Sequence, residues 1–152
     1  ELVFAASVEV NRVLDADGSN LRMVTDVLPQ TCTDLVSYSA WEATDVSGIE
    51  EQTREATVQE RLAAALARIR TAISPEVGIY LGEVGFAENE TASTGELTMG
   101  ALAQASRSGV LGSVYWQIFD NECTAGTCRG LWVLRPDGSL SEAGKVLATA
   151  WR

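Results

Sequence analysis

Four short apolar runs recur along the chain, each separated from the next by a polar loop and a helical pattern. They span residues 3–13 (VFAASVEVNRV), 34–41 (DLVSYSAW), 77–86 (VGIYLGEVGF) and 110–119 (VLGSVYWQIF). All are of strand length and rich in Val, Ile, Tyr, Phe or Trp. Helical patterns follow at 20–28, stopped by Pro29, and at 54–73, stopped by Ser74-Pro75. Two more cover 94–107, halted by Gly109, and 139–151, where Ser141 is a natural N-cap after the Pro136-Asp137-Gly138 turn. In 54–73 the apolar residues Val58, Leu62, Ala65, Leu66, Ile69 and Ile73 fall at spacings of three and four, the stripe of a helix lying on a sheet. Strands separated by helices cannot pair as tight hairpins. They must run parallel, with right-handed crossovers. The pattern therefore predicts an α/β fold, (βα) four times over, in one domain covering 1–152 with no linker.

Composition narrows the function. With 21 Asp+Glu against 11 Lys+Arg, the formal charge is −10. So acidic a surface repels phosphate, which argues against nucleic acid and anionic membranes as partners. No apolar run approaches the roughly 18 residues that cross a bilayer. No basic-then-apolar segment opens the chain, and it begins at Glu1, not Met, so it is expected to be a piece of something: a mature form or a partial reading frame. There is no His. That removes Ser-His-Asp and Cys-His catalysis and nearly all zinc sites. Acid–base chemistry here falls to carboxylates, and neither a metal nor a cofactor is expected.

A parallel sheet carries its ligands at the carboxyl ends of its strands. That rule selects Glu9 and Asn11, Ser39 and Trp41, Glu83, and then Trp116, Asp120, Asn121 and Glu122. Strict alternation puts Ser7, Glu9 and Asn11 on one face, Ser37, Ser39 and Trp41 on one face, and Ile79, Leu81 and Glu83 on one face. Carboxylates beside aromatic plates suit carbohydrate: sugar faces stack on indole, hydroxyls bond to Asn and Asp, and glycosidic cleavage uses two carboxyl groups. Glu83 sits between Gly82 and Gly85 at a strand end. From the residues alone it is either a catalytic carboxylate or a rim carboxylate paired with an arginine.

The motifs DLVSYSAW (34–41), IYLGEVGF (79–86) and VYWQIFDNE (114–122) resemble the last three strands of retaining glycoside hydrolases of the (β/α)8-barrel superfamily called clan A. The segment GLWVLRPDG (130–138) is similar to the return into the final helix of such enzymes. The resemblance implies that Glu83 matches the strand-seven nucleophile and that Trp116 matches the strand-eight tryptophan flooring the subsite of the cleaved sugar. It places Trp41 as the strand-six aromatic residue, and Ser39 where many relatives carry His. Glu9 and Asn11 fall at the end of strand five as substrate-binding candidates, with Asp120, Asn121 and Glu122 beyond strand eight.

In that superfamily the acid/base Glu follows an Asn at the end of strand four. Here the Asn-Glu pairs are Asn89-Glu90 and Asn121-Glu122, both downstream of Glu83 in loops. The expectation is thus a TIM half barrel, strands five to eight with their helices, which carries the nucleophile and lacks its proton donor. A whole barrel takes ~250 residues. A retaining mechanism sets its carboxyls ~5 Å apart; Glu9 is the in-chain candidate to stand in for the missing acid, and its plainer reading is a sugar-binding or Arg-paired residue. Four parallel strands also leave open edges. With Leu35, Ile79, Leu81 and Val114 read as inward-facing, they suggest a homodimer that completes the barrel. The function read here is a fragment of a glycosidase acting on a carbohydrate substrate. The alternatives are a catalytically inactive half barrel that self-associates, with or without glycan binding, and a flavodoxin-like domain. The last is disfavoured because the turn at 8–12 lacks the glycines of a phosphate loop.

Cys123 and Cys128 bracket a short loop after the fourth strand, while Cys32 lies towards the strand-start end. Bridged Cα atoms must approach within ~7 Å, which favours a Cys123–Cys128 disulfide with Cys32 free over three reduced thiols. Such a bridge suits an exported enzyme. Trp132 and Trp151 read as packing residues. Glu42, Asp45, Glu50, Glu51 and Glu55 read as a solvated charge run lying mostly in a loop, and Glu88 and Glu90 as solvent-exposed loop carboxylates.

Overall fold

The computed structural model describes residues 7–15, 19–121, 123 and 126–150, with residues 7, 19 and 21 described by backbone alone. The beginning of the first run at Val3, the site candidate Glu122, and Trp151 lie outside the described residues. Four strands form one parallel sheet in the order β1 (Ser7–Val10), β2 (Leu35–Ser39), β3 (Gly78–Val84) and β4 (Ser113–Tyr115). Helices alternate with them: α1 (Ser19–Arg22), a short α2 (Trp41–Thr44), α3 (Glu51–Ala72), α4 (Thr94–Arg107) and α5 (Glu142–Ala150). This is the expected α/β order of a partial TIM barrel.

Local chemistry explains the helix ends. α3 starts three residues before the apolar stripe suggests, because extended Glu50 accepts the Thr53 N–H through its carbonyl and Glu51 favours the positive helix start. It stops at Ala72, where Pro75 drives the chain into extended backbone. α4 closes on Gly109, which takes φ 71°, a left-handed turn that glycine enters at no steric cost. α5 opens on Ser141, whose Oγ accepts the Gly144 N–H at 2.9 Å. The stretch after α1 is not one helix. It passes through a π turn (Met23–Val27) into a 3-10 turn (Leu28–Gln30) around Pro29.

The two faces of the sheet differ sharply. Val36, Tyr38, Ile79, Leu81 and Val84 are buried and pack with Leu62, Leu66 and Ile69 of α3 and Leu97, Ala101 and Ala105 of α4. The opposite face carries Leu35, Ser37, Gly78, Tyr80, Gly82 and Gly112. A Cβ on Gly78 would meet Leu35 and Leu111, one on Gly82 would meet Ser37, and one on Gly112 would meet the Tyr80 ring. The expectation that Ile79 and Leu81 turn inward with Glu83 is therefore wrong: both belong to the helix layer. Leu35 and Val114 do lie on the open side, and Val114 is 45% exposed.

Candidate active site

Glu83 reaches the open face through an irregularity in β3. Tyr38 of β2 pairs with Leu81, but the next residue, Ser39, pairs with Glu83. On the other side Ser113 pairs with Leu81 and Tyr115 with Val84, two steps on β4 against three on β3. Both neighbours thus see one extra residue in β3, a β-bulge at Gly82–Glu83. Leu81 and Val84 both stay in the core, so Gly82 and Glu83 turn together to the open face. Alternation counted from the sequence cannot register an inserted residue. Gly82 is glycine because of close approach: a Cβ there would stand 2.1 Å from Ser37 Oγ.

The end of β2 locks onto this bulge. The Ala40 N–H donates to the Glu83 carbonyl at 2.8 Å. The chain then turns into α2, which brings the Trp41 indole Nε1 to Glu83 Oε2 at 2.6 Å. One residue before the turn, the buried Ser39 donates from Oγ to Glu9 Oε1 on β1 at 2.6 Å. The structure thus gathers Glu9, Ser39, Trp41 and Glu83 at neighbouring strand ends. Asn11 is exposed and lines an adjoining groove with Ser39 and Trp41, of about 460 Å³. Beyond Trp41 on the other flank lies a cavity of about 220 Å³ walled by Asp45, Gly85, Phe86 and Leu131.

Trp116 directly follows β4, and its N–H donates to the Val84 carbonyl at 2.9 Å. Tyr115 faces the helices, its OH bonded to the Phe86 backbone, so alternation turns Trp116 to the face of Glu83. Its peptide bond to Gln117 is cis. Its indole Nε1 is buried and finds no hydrogen-bond partner among the described residues. Past Trp116 the chain leaves the sheet. The Gln117 N–H bonds to the Leu131 carbonyl, and the Val133 N–H returns to the Gln117 carbonyl.

The remaining candidates serve that returning segment. Asp120 Oδ2 accepts the N–H groups of Gly130 at 2.7 Å and Leu131 at 3.2 Å. Asn121 is exposed and its Oδ1 accepts Gln117 Nε2 at 2.8 Å. Cys123 and Cys128 are bridged and Cys32 is free and exposed. Asp120, Cys123 and Cys128 lie close enough to offer three donor atoms, but the two sulfurs are bonded to each other and are not thiolate ligands.

Two carboxylates that read as solvated are in fact tied down. Glu42 accepts the N–H groups of Val13 and Leu14 and the Tyr38 OH, the last two at 2.9 and 3.0 Å. It thereby fastens the loop after β1 to β2. Burial, reinforced by the Glu42 charge, pushes the Tyr38 phenol far up. Of the acidic run only Asp45 and Glu50 lie in loop: Glu42 is in α2, and Glu51 and Glu55 are in α3. Glu88 accepts Arg135 Nη2 at 2.6 Å, Arg135 Nε at 2.8 Å and Trp132 Nε1 at 2.7 Å. The Arg135 hydrogen bonds, then that from Trp132, hold its carboxyl below the usual range. Glu90 is exposed but pairs with Arg129 at 2.7 Å. Tyr38 apart, which is four residues from Glu42, these partners stand 28 to 47 residues away in sequence, beyond any local signal.

No family model matches the sequence, and no curated protein matches it. The fold does match a solved structure, the crystal structure of GH5_18 from Bifidobacterium longum subsp. longum ATCC 55813, a glycoside hydrolase. The TM-score is 0.71 at 20% sequence identity, over 95% of this chain and 36% of that one. The chain therefore has the fold of part of a TIM barrel and spans little more than a third of that structure's length.

Proposed function

We propose that these residues form, as one domain, the nucleophile-bearing portion of a retaining glycoside hydrolase, with Glu83 attacking the anomeric carbon. The observation that carries this reading is the 2.6 Å hydrogen bond from Trp41 Nε1 to Glu83 Oε2, made at a bulge that turns the carboxylate to the open face. A single donor on one oxygen orients the carboxylate, while the other oxygen has no hydrogen-bond partner among the described residues and can face the anomeric carbon. Trp41 and Trp116 offer apolar plates to the sugar, and Glu9, Ser39 and Asn11 offer partners for its hydroxyls. Attack forms a glycosyl ester on Glu83 and expels the leaving oxygen. A second carboxyl group protonates that oxygen, then takes a proton from the water that hydrolyses the ester. Glu9 is engaged by Ser39, and we assign the proton donor to a residue outside these 152.

The test is covalent trapping in a complete barrel that includes this sequence. A 2-deoxy-2-fluoro glycoside should label the peptide that contains Glu83, and Glu83→Gln should abolish both label and turnover. Turnover that survives Glu83→Gln removes Glu83 from the role.

One observation favours a second reading, a non-catalytic half barrel that pairs with a second copy. Leu111, Val114, Ile118 and Phe119 stand 73%, 45%, 60% and 62% exposed along and beyond β4, at an open edge of the sheet. Sedimentation at micromolar concentration decides it: a dimer supports this reading, and a stable monomer removes it.

A further inference from the structure

Arg12 is the one residue other than glycine with positive φ among those described, at 46°. Every other positive-φ position described is glycine: residues 48, 109, 126, 130 and 138. A side chain in this left-handed region crowds its own backbone, and glycine is the usual occupant. The next two residues impose the bend. The Val13 and Leu14 N–H groups are held by Glu42, and the Val13 carbonyl accepts Arg68 Nη1 at 2.9 Å. Val13 itself is fully buried. The chain must therefore turn at Arg12 whatever residue stands there, and a glycine would turn more easily.

The side chain is not occupied in holding the fold. Arg12 is exposed, and among the described residues no hydrogen bond or ion pair engages its guanidinium. It lines the groove of about 460 Å³ together with Asn11, Ser39 and Trp41, the residue bonded to Glu83. The other charged groups of that groove are Asp15, Glu42 and Asp45, so its balance is negative even with Arg12 counted. Anionic ligands are disfavoured there. The fork of a guanidinium matches two adjacent acceptor oxygens, which a neutral sugar presents as a vicinal hydroxyl pair.

We infer that Arg12 is a specificity-determining residue that binds vicinal hydroxyls of a neutral sugar in the subsite beside Trp41. This rests on the glycan reading of the cleft proposed above and adds a residue and a substrate class to it. Strained backbone at a cleft edge, fixed by well-anchored neighbours, is where a binding residue is retained against local preference.

The test compares a complete barrel that includes this sequence, taken as the parent, with its Arg12→Gly, Arg12→Ala and Arg12→Lys variants. Each is titrated with the tetrasaccharides of β-1,4-linked glucose, mannose and xylose and with a glucuronate-bearing xylo-oligosaccharide, following tryptophan fluorescence. Melting temperature is measured alongside. The expected result is neutral-sugar binding by the parent, weakened about tenfold in Arg12→Gly and Arg12→Ala, with Arg12→Lys between them. Arg12→Gly should melt at or above the parent temperature, by up to about 2–4 °C. Parent-like affinity in Arg12→Gly, a lower melting point for it, or tighter binding of the glucuronate sugar overturns the inference and leaves the cleft reading standing. Failure of the parent to bind any oligosaccharide overturns both.

Discussion

The ends of β2 and β3 and the segment after β4 contain the same residue types, yet they use them differently. Glu83 of β3 and Glu9 of the neighbouring β1 accept from side chains at the end of β2, Trp41 and Ser39, at the border of open grooves. After β4, Asp120 accepts from the backbone of Gly130 and Leu131, and Arg135 and Trp132 of the same segment clasp Glu88 of the loop after β3. The first set is held by one oxygen each, the other having no hydrogen-bond partner among the described residues. The second is consumed in closing a chain reversal that the sheet no longer supports. Residue type and strand end thus select candidates, and the partner distinguishes a carboxylate that can react from one that builds.

The largest effect that separates the two regions is on turnover. In a complete barrel, Glu83→Gln should abolish hydrolysis while leaving the urea midpoint near the parent value. Asp120→Ala should do the reverse, retaining chemistry but losing about 1–3 kcal/mol of stability, because two backbone N–H groups lose their acceptor. Activity loss in Asp120→Ala without a stability loss breaks the contrast.

Gly82→Ala comes next. Its Cβ meets Ser37 Oγ, and overpacking of this kind costs about 1–3 kcal/mol. Removing the hydroxyl in a Gly82→Ala/Ser37→Ala double variant should recover much of that loss in urea denaturation, since the Ser37 Cβ stands 3.4 Å from the added carbon. Additive losses instead would mean that the bulge needs glycine for its backbone.

A smaller difference appears with pH. The Glu88 carboxyl titrates below its ordinary value of 4.5 in the folded chain. Its contribution to stability is therefore present above that pH and lost as pH falls through the lower folded value. Glu88→Gln should flatten this part of the stability–pH curve, and an unchanged slope would show that the Arg135 clasp contributes nothing there. The smallest effect is local. Of three cysteines, one should react with a thiol reagent under denaturing, non-reducing conditions. Three reactive thiols would remove the bridge from the loop after β4.

Much of the architecture is legible in the sequence because it rests on local pattern. The α4 limits follow from a helical pattern halted by Gly109, and the parallel order follows from helices between strands. Glu83 is legible as a residue at a strand end but not as to its face, since the bulge is written only in the pairing with β2 and β4. Ile79 and Leu81 fall on the wrong side for the same reason: alternation carries them through to Glu83 as if no residue intervened. Glu42 looks solvated in the sequence because the amides it binds come from the loop after β1, 28 and 29 residues earlier. The π and 3-10 turns after α1 carry no periodicity of their own. Pro29 marks only the passage into the 3-10 turn, which runs on to Gln30.

The extra residue in β3 is trapped by the order Gly82-Glu83-Val84. Ironing the strand flat with every residue kept would point Glu83 at the helices and Val84 at water. That exchange strands an anion among hydrocarbon and wets an isopropyl group. The kink therefore cannot creep along its strand: charge stops it on one flank and grease on the other. A homologous strand that swapped these two side chains would be free to straighten, and its acid would then face the opposite way.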